Sequence, residues 1–277
     1  MSCKTILVYF RGESEAEALC KAAEQIAERH EAHVIGLFVL PNIEALPVMG
    51  FPVPAGIKES YANVHLQWAE GAKRQFDRVA KNRPEWEWRQ IDSGGSTISR
   101  VLADHAATVD LVVVGQPAKG ASFIEPDMTF ETALMGTGRP VLIVPQNYSG
   151  KTIGTNTVIG WNGTREAARA AFDAIELMEA DEKNNATLVW LGDGAGRDTL
   201  PGAEMATSMA RHGIKVEASA APRVGGIGPA LLARAKDRSA DLLVMGCFGH
   251  SQIHEFIFGG ATEHVLRHMD LPVMMSR

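Results

Sequence analysis

Short apolar runs alternate with stretches of helical period along the whole chain. In the first half, residues 5–10, 33–39, 110–114 and 140–144 are apolar runs of strand length, and 86–91 alternates like a strand. Between them, Ala16, Leu19, Ala23 and Ile26 recur at helical spacing, with Glu13 and Ser14 placed to start that helix. A longer helix is predicted over 60–82, with Val64, Trp68, Ala72, Phe76 and Val79 on one side, and another over 98–107, opened by Gly94, Gly95 and Ser96. Residues 41–56 carry four prolines and two glycines and read as an irregular loop. That loop also holds Ile43, Leu46, Val48, Met49, Phe51 and Val53, so it is expected to fold down over the domain as a lid or a partner contact.

The second half repeats the order. Strands are predicted over 157–160, 187–191, 215–220 and 241–245. The intervening helices fall over 164–178, with Ala168, Ala171, Phe172 and Ile175 inward, then 205–212 and 229–238. Residues 240–246 (ADLLVMG) echo 109–115 (VDLVVVG), and 271–275 (LPVMM) echo 139–143 (RPVLI). A period of about 130 residues means two whole domains rather than a solenoid. Strands alternating with helices, the strands being continuously apolar, imply parallel sheets flanked by helices. The domains are expected at 1–146 and 155–277, joined where Asn, Ser, Gly and Thr cluster.

Composition narrows the partners. Apolar residues make up 45% and charged residues 22%, the balance of a soluble globular protein. A net charge of −6 argues against nucleic acid or an anionic membrane as the main partner. No apolar run approaches the ~20 residues of a membrane span, and the N-terminus lacks a signal-peptide cleavage pattern, so a cytoplasmic location is expected. Cys3, Cys20 and Cys247 are too scattered for a disulfide framework or a zinc knuckle.

The chemistry concentrates in residues 242–275. An apolar run ends at Gly246, Gly249 follows, then Gly259 and Gly260, then a helical pattern with Val265 and Leu266, then a closing apolar run. Glycines let a backbone approach a ligand closely, and a following helix offers free N–H groups and a positive dipole end to an anion. With the strand before it and the helix after it, Gly246-x2-Gly249-x9-Gly259 resembles the closing motif of nucleotide-binding universal stress proteins, and the chain as a whole resembles a tandem member of that family. The resemblance implies an adenine nucleotide alpha hydrolase-like α/β fold, two five-stranded parallel domains, and ATP, with or without Mg²⁺, in the second. It implies phosphates on the 246–262 loop and adenosine against the first strand-to-helix turn. The site residues carried over are Asn162, Gly163, Val189, Met245, Gly246, Gly249, His250, Gly259, Gly260, Ala261 and Thr262. Asn162 stands where the family has an Asp, which weakens the nucleoside contact by removing its charge. Gly260 replaces the hydroxyl residue after the third glycine, and Thr262 is its nearest substitute.

The first half departs from the pattern. Gly115 is followed by Gln116, Pro117, Ala118, Lys119 and Gly120, and the positions of Gly259 and Gly260 fall at Asp127 and Met128. Arg11 occupies the place of the family's Asp. The first domain is therefore expected to lack a nucleotide site and to pair with the second, much as single-domain members form dimers. A homodimer of the whole chain is a further expectation.

Competing readings stand beside these. The glycines could serve turn chemistry and close helix packing, with phosphate binding ahead because of their spacing. Asn162 caps the next helix or contacts a nucleoside, with equal weight. His250 with His254, and His264 with His268, are i, i+4 pairs that can share a helix face for zinc, but no Cys or carboxylate pattern completes a site. Cys247 is a redox-sensitive thiol if a helix end lowers its pKa, and otherwise a small packing residue. The loop 192–196 mimics a phosphate loop but lacks the Walker Lys-Ser/Thr ending. Trp86, Trp88 and Trp190 are expected in packing. The leading function is a stress-response module regulated by an adenine nucleotide. The rivals are a nucleotide-free scaffold and, behind it, a slow ATPase or phosphotransferase, for which no activating base is evident.

Overall fold

The computed structural model describes residues 3–41, 54–117, 136–178, 185–192, 200–247 and 260–277. It divides into two compact units, Lys4–Arg139 and Pro140–Arg277, the latter also taking in the first three residues. Most of the predicted 41–56 loop, the loop 193–196, and Gly249, His250, His254, Gly259, Asp127 and Met128 lie outside the described residues.

In the first unit the order is β1 (Thr5–Phe10), α1 (Glu13–His30), β2 (His33–Leu40), α2 (Ala55–Ala80), β3 (Trp86–Asp92), α3 (Ile98–Ala106) and β4 (Leu111–Gly115). Its strands lie side by side as β3-β2-β1-β4, all parallel. The second unit holds β5 (Val141–Val144), β6 (Asn156–Trp161), α4 (Arg165–Ala174), β7 (Asn185–Leu191), α5 (Ala203–Ala210), β8 (Val216–Ala221), α6 (Ile227–Asp237), β9 (Leu242–Gly246), α7 (Gly260–His268) and β10 (Val273–Ser276). Its sheet runs β5-β10-β9-β6-β7-β8. Each repeat thus supplies five strands, as the apolar runs predict, with one departure from an all-parallel arrangement. Strand β5, the last of the first repeat, lies antiparallel to β10 with Ile143 opposite Val273.

The strands are apolar on both faces because helices cover both. Leu142, Ile143, Val158, Ile159, Leu243 and Val244 are fully buried or nearly so. In the first unit an aromatic cluster of Phe10, Phe76, Trp86 and Trp88 joins β1 and β3 to α2, with ring centroids 5.3–6.2 Å apart. Gly36 of β2 makes room for it, since a Cβ there would meet Phe76 and Trp88 at 2.8 Å.

Two helix faces differ from the periodicity. On α4 the buried apolar side chains are Ala167, Ala170, Ala171 and Ala174, while Phe172 is 42% exposed and meets His212 edge-on. Small side chains bring the helix onto the strands, and the bulky ring turns out. On α2 only the second half is buried, through Ala69, Gly71, Ala72 and Phe76, whereas Val64 and Trp68 are 40% and 45% exposed.

A carboxylate ties the beginning of each repeat's central strands together. Asp241, just before β9, accepts hydrogen bonds from the backbone N–H groups of Gly154, Thr155 and Asn156 at 2.9–3.1 Å and from Thr152 Oγ1 at 2.6 Å. Asp110, its counterpart, accepts from the N–H groups of Lys4 and Thr5 at 2.8 and 2.9 Å. Asp241→Ala leaves three strand-entry amides without their acceptor and is expected to lower the unfolding free energy by about 2–3 kcal/mol. Asp110→Ala, which removes fewer such bonds, should cost less, a ranking that urea denaturation of the two variants checks.

Candidate functional site

In an open parallel sheet, the place where chain connections leave in opposite directions opens a crevice beyond the strands' carboxyl ends. In the second unit that place lies between β6 and β9, which pair in parallel with Ile159 opposite Val244. The predicted site residues among the described ones fall around it. Asn162 and Gly163 form the turn leaving β6, Met245 and Gly246 end β9, and Val189 sits on β7 opposite Gly160. Gly260, Ala261 and Thr262 form the first turn of α7.

The β6–α4 turn is built by local hydrogen bonds. Gly163 takes φ +76°, a conformation that a side chain disfavours. Thr164 is the residue that caps α4, its Oγ1 accepting from Ala167 N at 3.3 Å. Asn162 Oδ1 accepts from the backbone N–H of Thr164 at 3.1 Å and from its hydroxyl at 2.8 Å. Asn162 therefore supports the capping residue instead of capping the helix itself, and the residue is exposed. Val189 is fully buried and Met245 is 5% exposed, so both belong to the sheet's packed interior just behind the crevice.

Gly246 answers to helix packing. A Cβ there would lie 2.5 Å from the carbonyl carbon of Glu166 and 2.6 Å from the nitrogen of Ala167, both in the first turn of α4. The end of β9 and the start of the helix can touch only because that position lacks a side chain. By contrast, a Cβ on Gly163 or Gly260 would meet nothing within 4 Å. These two border open space.

Glu166, which the sequence reading overlooked, is a buried carboxylate at this helix start, 5% exposed. The Arg165 guanidinium, with Nε 2.6 Å from Oε1, holds its carboxyl below the ordinary carboxylate range. Thr262 is also buried, at 4% exposure.

Cys247 follows Gly246 directly. It is 1% exposed, its Sγ donates to the carbonyl of Ser276 at 3.3 Å, and burial pushes the thiol up to about 12. That decides for packing over redox sensing. His264 and His268 stack with centroids 4.1 Å apart and planes 22° apart, and His268 Nδ1 lies 2.8 Å from the His264 carbonyl. Loss of hydration, with neighbouring His268, pushes the His264 imidazole below its ordinary value. Among the described residues, no three His, Cys, Asp or Glu side chains gather as metal ligands. No helix among them is long and apolar enough to cross a membrane.

The first unit's crevice lies between β1 and β4 and is filled by the protein itself. Arg11 Nη2 donates to the carbonyls of Gly115 and Gln116, each at 3.0 Å, and to Glu15 Oε2. The backbone N–H of Arg11 donates to Glu15 Oε1 at 2.8 Å.

With strand order, turn and glycine packing established, sequence comparison assigns the second repeat: residues 158–277 match the Universal stress protein family. By that match, the second repeat is similar to a universal stress protein domain. A universal stress protein of Synechocystis sp., Slr1230, is 26% identical over 182 residues, covering 64% of this chain and 61% of that relative's own length. The fold likeness takes in the first repeat too. A universal stress protein from Archaeoglobus fulgidus DSM 4304 superposes with a TM-score of 0.68 at 15% identity, covering 100% of this chain and 97% of that one. A functionally unknown protein from Pseudomonas aeruginosa PAO1 gives 0.60 at 14% identity, over 99% and 92%. Both likenesses concern the fold alone.

Two measurements check the local assignments. Gly246→Ala, forcing α4 off the end of β9, is expected to cost about 1–3 kcal/mol in thermal or urea unfolding. Cys247 in the native protein should resist a thiol reagent at pH 8 over a period in which the urea-unfolded chain is fully labelled.

Proposed function

We propose that the universal stress protein domain binds an adenine nucleotide, ATP, with or without Mg²⁺, and that the chain acts as a ligand-dependent regulatory or protective module in a stress response. The observation that carries this reading is the composition of the switch-point crevice in the second unit. An exposed Asn162 beside Gly163 borders open space at the end of β6, next to β9, the strand that leads into the glycine-spaced loop. In this reading the nucleoside lies against Asn162 and Gly163, with its apolar face toward the sheet end backed by Val189 and Met245. Its phosphates lie toward Gly246, Gly249, His250, Gly259, Gly260, Ala261 and Thr262, where the positive end of the α7 dipole favours negative charge. The ionised Glu166 favours this polarity, because a carboxylate accepts from nucleoside hydroxyls and repels phosphate.

A second reading has its own support. The first half of α2 exposes Ile57, Val64 and Trp68 at 40–56% along one side, an apolar stripe suited to protein contact in a nucleotide-free scaffold.

Adding ATP with Mg²⁺ at about 100 times its dissociation constant should stabilise the domain by about 2.7 kcal/mol. A thermal-shift titration reads this directly. Gly259→Asp, copying the residue of the first repeat, should abolish the shift. Absence of any shift in the unaltered protein, together with purified protein that releases no adenine nucleotide on acid extraction, would favour the scaffold.

A further inference from the structure

The two repeats align without gaps through the switch-point turn. Strand β1 and strand β6 are each six residues long, Arg11 corresponds to Asn162, Gly12 to Gly163 and Glu15 to Glu166. Both glutamates are buried, at 4% and 5% exposure, in the first turn of the helix that follows. Both crevices end on a glycine at the neighbouring strand, Gly115 and Gly246. The turns differ in the residue four before the buried glutamate, Arg11 against Asn162, and in the residue just before it, Ser14 against Arg165. Gly12 is extended where Gly163 takes φ +76°, and a Cβ on Gly115 would meet the Glu15 side chain where one on Gly246 would meet the backbone of Glu166.

In the first repeat that residue bridges the crevice. The Arg11 side chain runs from the helix turn, where its Nε and Nη2 donate to both oxygens of Glu15, to the end of β4, where Nη2 donates to two successive carbonyls. A Cβ on Gly115 would lie 2.1 Å from Glu15 Oε2 and 2.8 Å from Arg11 Nη2, so the pair fills the space directly above the strand end. In the second repeat, Asn162 is too short to bridge and turns its oxygen to Thr164. Glu166 receives its hydrogen bond from Arg165, whose side chain is 88% exposed and approaches from the solvent side.

We propose that Arg11 is a built-in plug, a guanidinium that occupies the first repeat's binding crevice from within, and that the residue at position 11 or 162 is the determinant of whether each crevice is closed or open to ligand. The plug uses groups a ligand would need: the carboxylate of the helix turn and the carbonyls ending the neighbouring strand. Placing Arg at position 162 restores the i, i+4 spacing to the buried glutamate. This deepens the proposed nucleotide reading of the second repeat and rests on it for its binding arm.

The test compares N162R with N162M, which matches the length without the charge, and with R11M, by ATP titration and by ¹⁵N NMR of arginine Nε–H groups. The unaltered protein is expected to show a slowly exchanging Nε–H signal that R11M removes. N162R should gain a second such signal and bind ATP at least tenfold more weakly than N162M. A second protected signal with ATP affinity within threefold of N162M overturns the plug, as does weak binding without that signal. If the unaltered protein binds no ATP, the nucleotide reading fails separately. The plug then stands if N162R gains the protected signal and falls if it does not.

Discussion

The structure depends on the directions in which connections leave each repeat's central strand pair. Parallel strands cannot be joined by tight turns, so each crossover carries a helix, and successive crossovers of one hand build the sheet outward from the centre. Where the chain reverses and starts outward on the other side, between β1 and β4 and again between β6 and β9, the two connections leave in opposite directions and a crevice opens beyond the strand ends. Both repeats inherit that gap, and everything distinctive about the chain lies in how each one fills it. At the opposite ends of the same strands, Asp110 and Asp241 hold the pair in register from below. Each accepts from backbone N–H groups at the same topological position in its repeat.

The crevice is a polar environment enclosed by an apolar sheet, which makes its charge arrangement expensive to leave incomplete. A buried carboxylate requires a donor, and the two repeats supply it in different ways. In the first, the donor comes across the crevice and consumes it; in the second, the neighbouring Arg165 serves from outside.

Much of the fold was legible in the sequence because strands buried on both faces appear as unbroken apolar runs. The predicted strand 5–10 coincides with β1, and the others shift at their ends by a residue or two. Helix orientation was less legible. Periodicity ranks positions by apolarity, so it chose Phe172, Val64 and Trp68 as inward. Contact with the sheet depends on smallness, which selected Ala167, Ala170, Ala171 and Ala174. At the site, the turn at Asn162 and the strand end at Gly246 were found by motif, although Gly246 owes its lack of a side chain to the helix backbone. Glu15 and Glu166 escaped notice because burial of a carboxylate is a tertiary fact. The i, i+4 spacing of Arg11 and Glu15 was the one available signal, and nothing in it pointed to the carbonyls of Gly115 and Gln116.

The antiparallel pairing of β5 with β10 bears on what counts as a separable piece of this protein. The linker composition near residue 150 invites a cut there, yet the strand immediately before it completes the sheet of the unit that follows. A fragment beginning after the linker would carry β10 as a bare edge, with the unpaired N–H and C=O groups of Val273–Ser276 open to any strand that approaches. A new partner for that edge would come most readily from a second copy of the fragment. The short apolar segment Val141–Val144, contributed by one repeat, thus covers what would otherwise be an open sheet edge of the other.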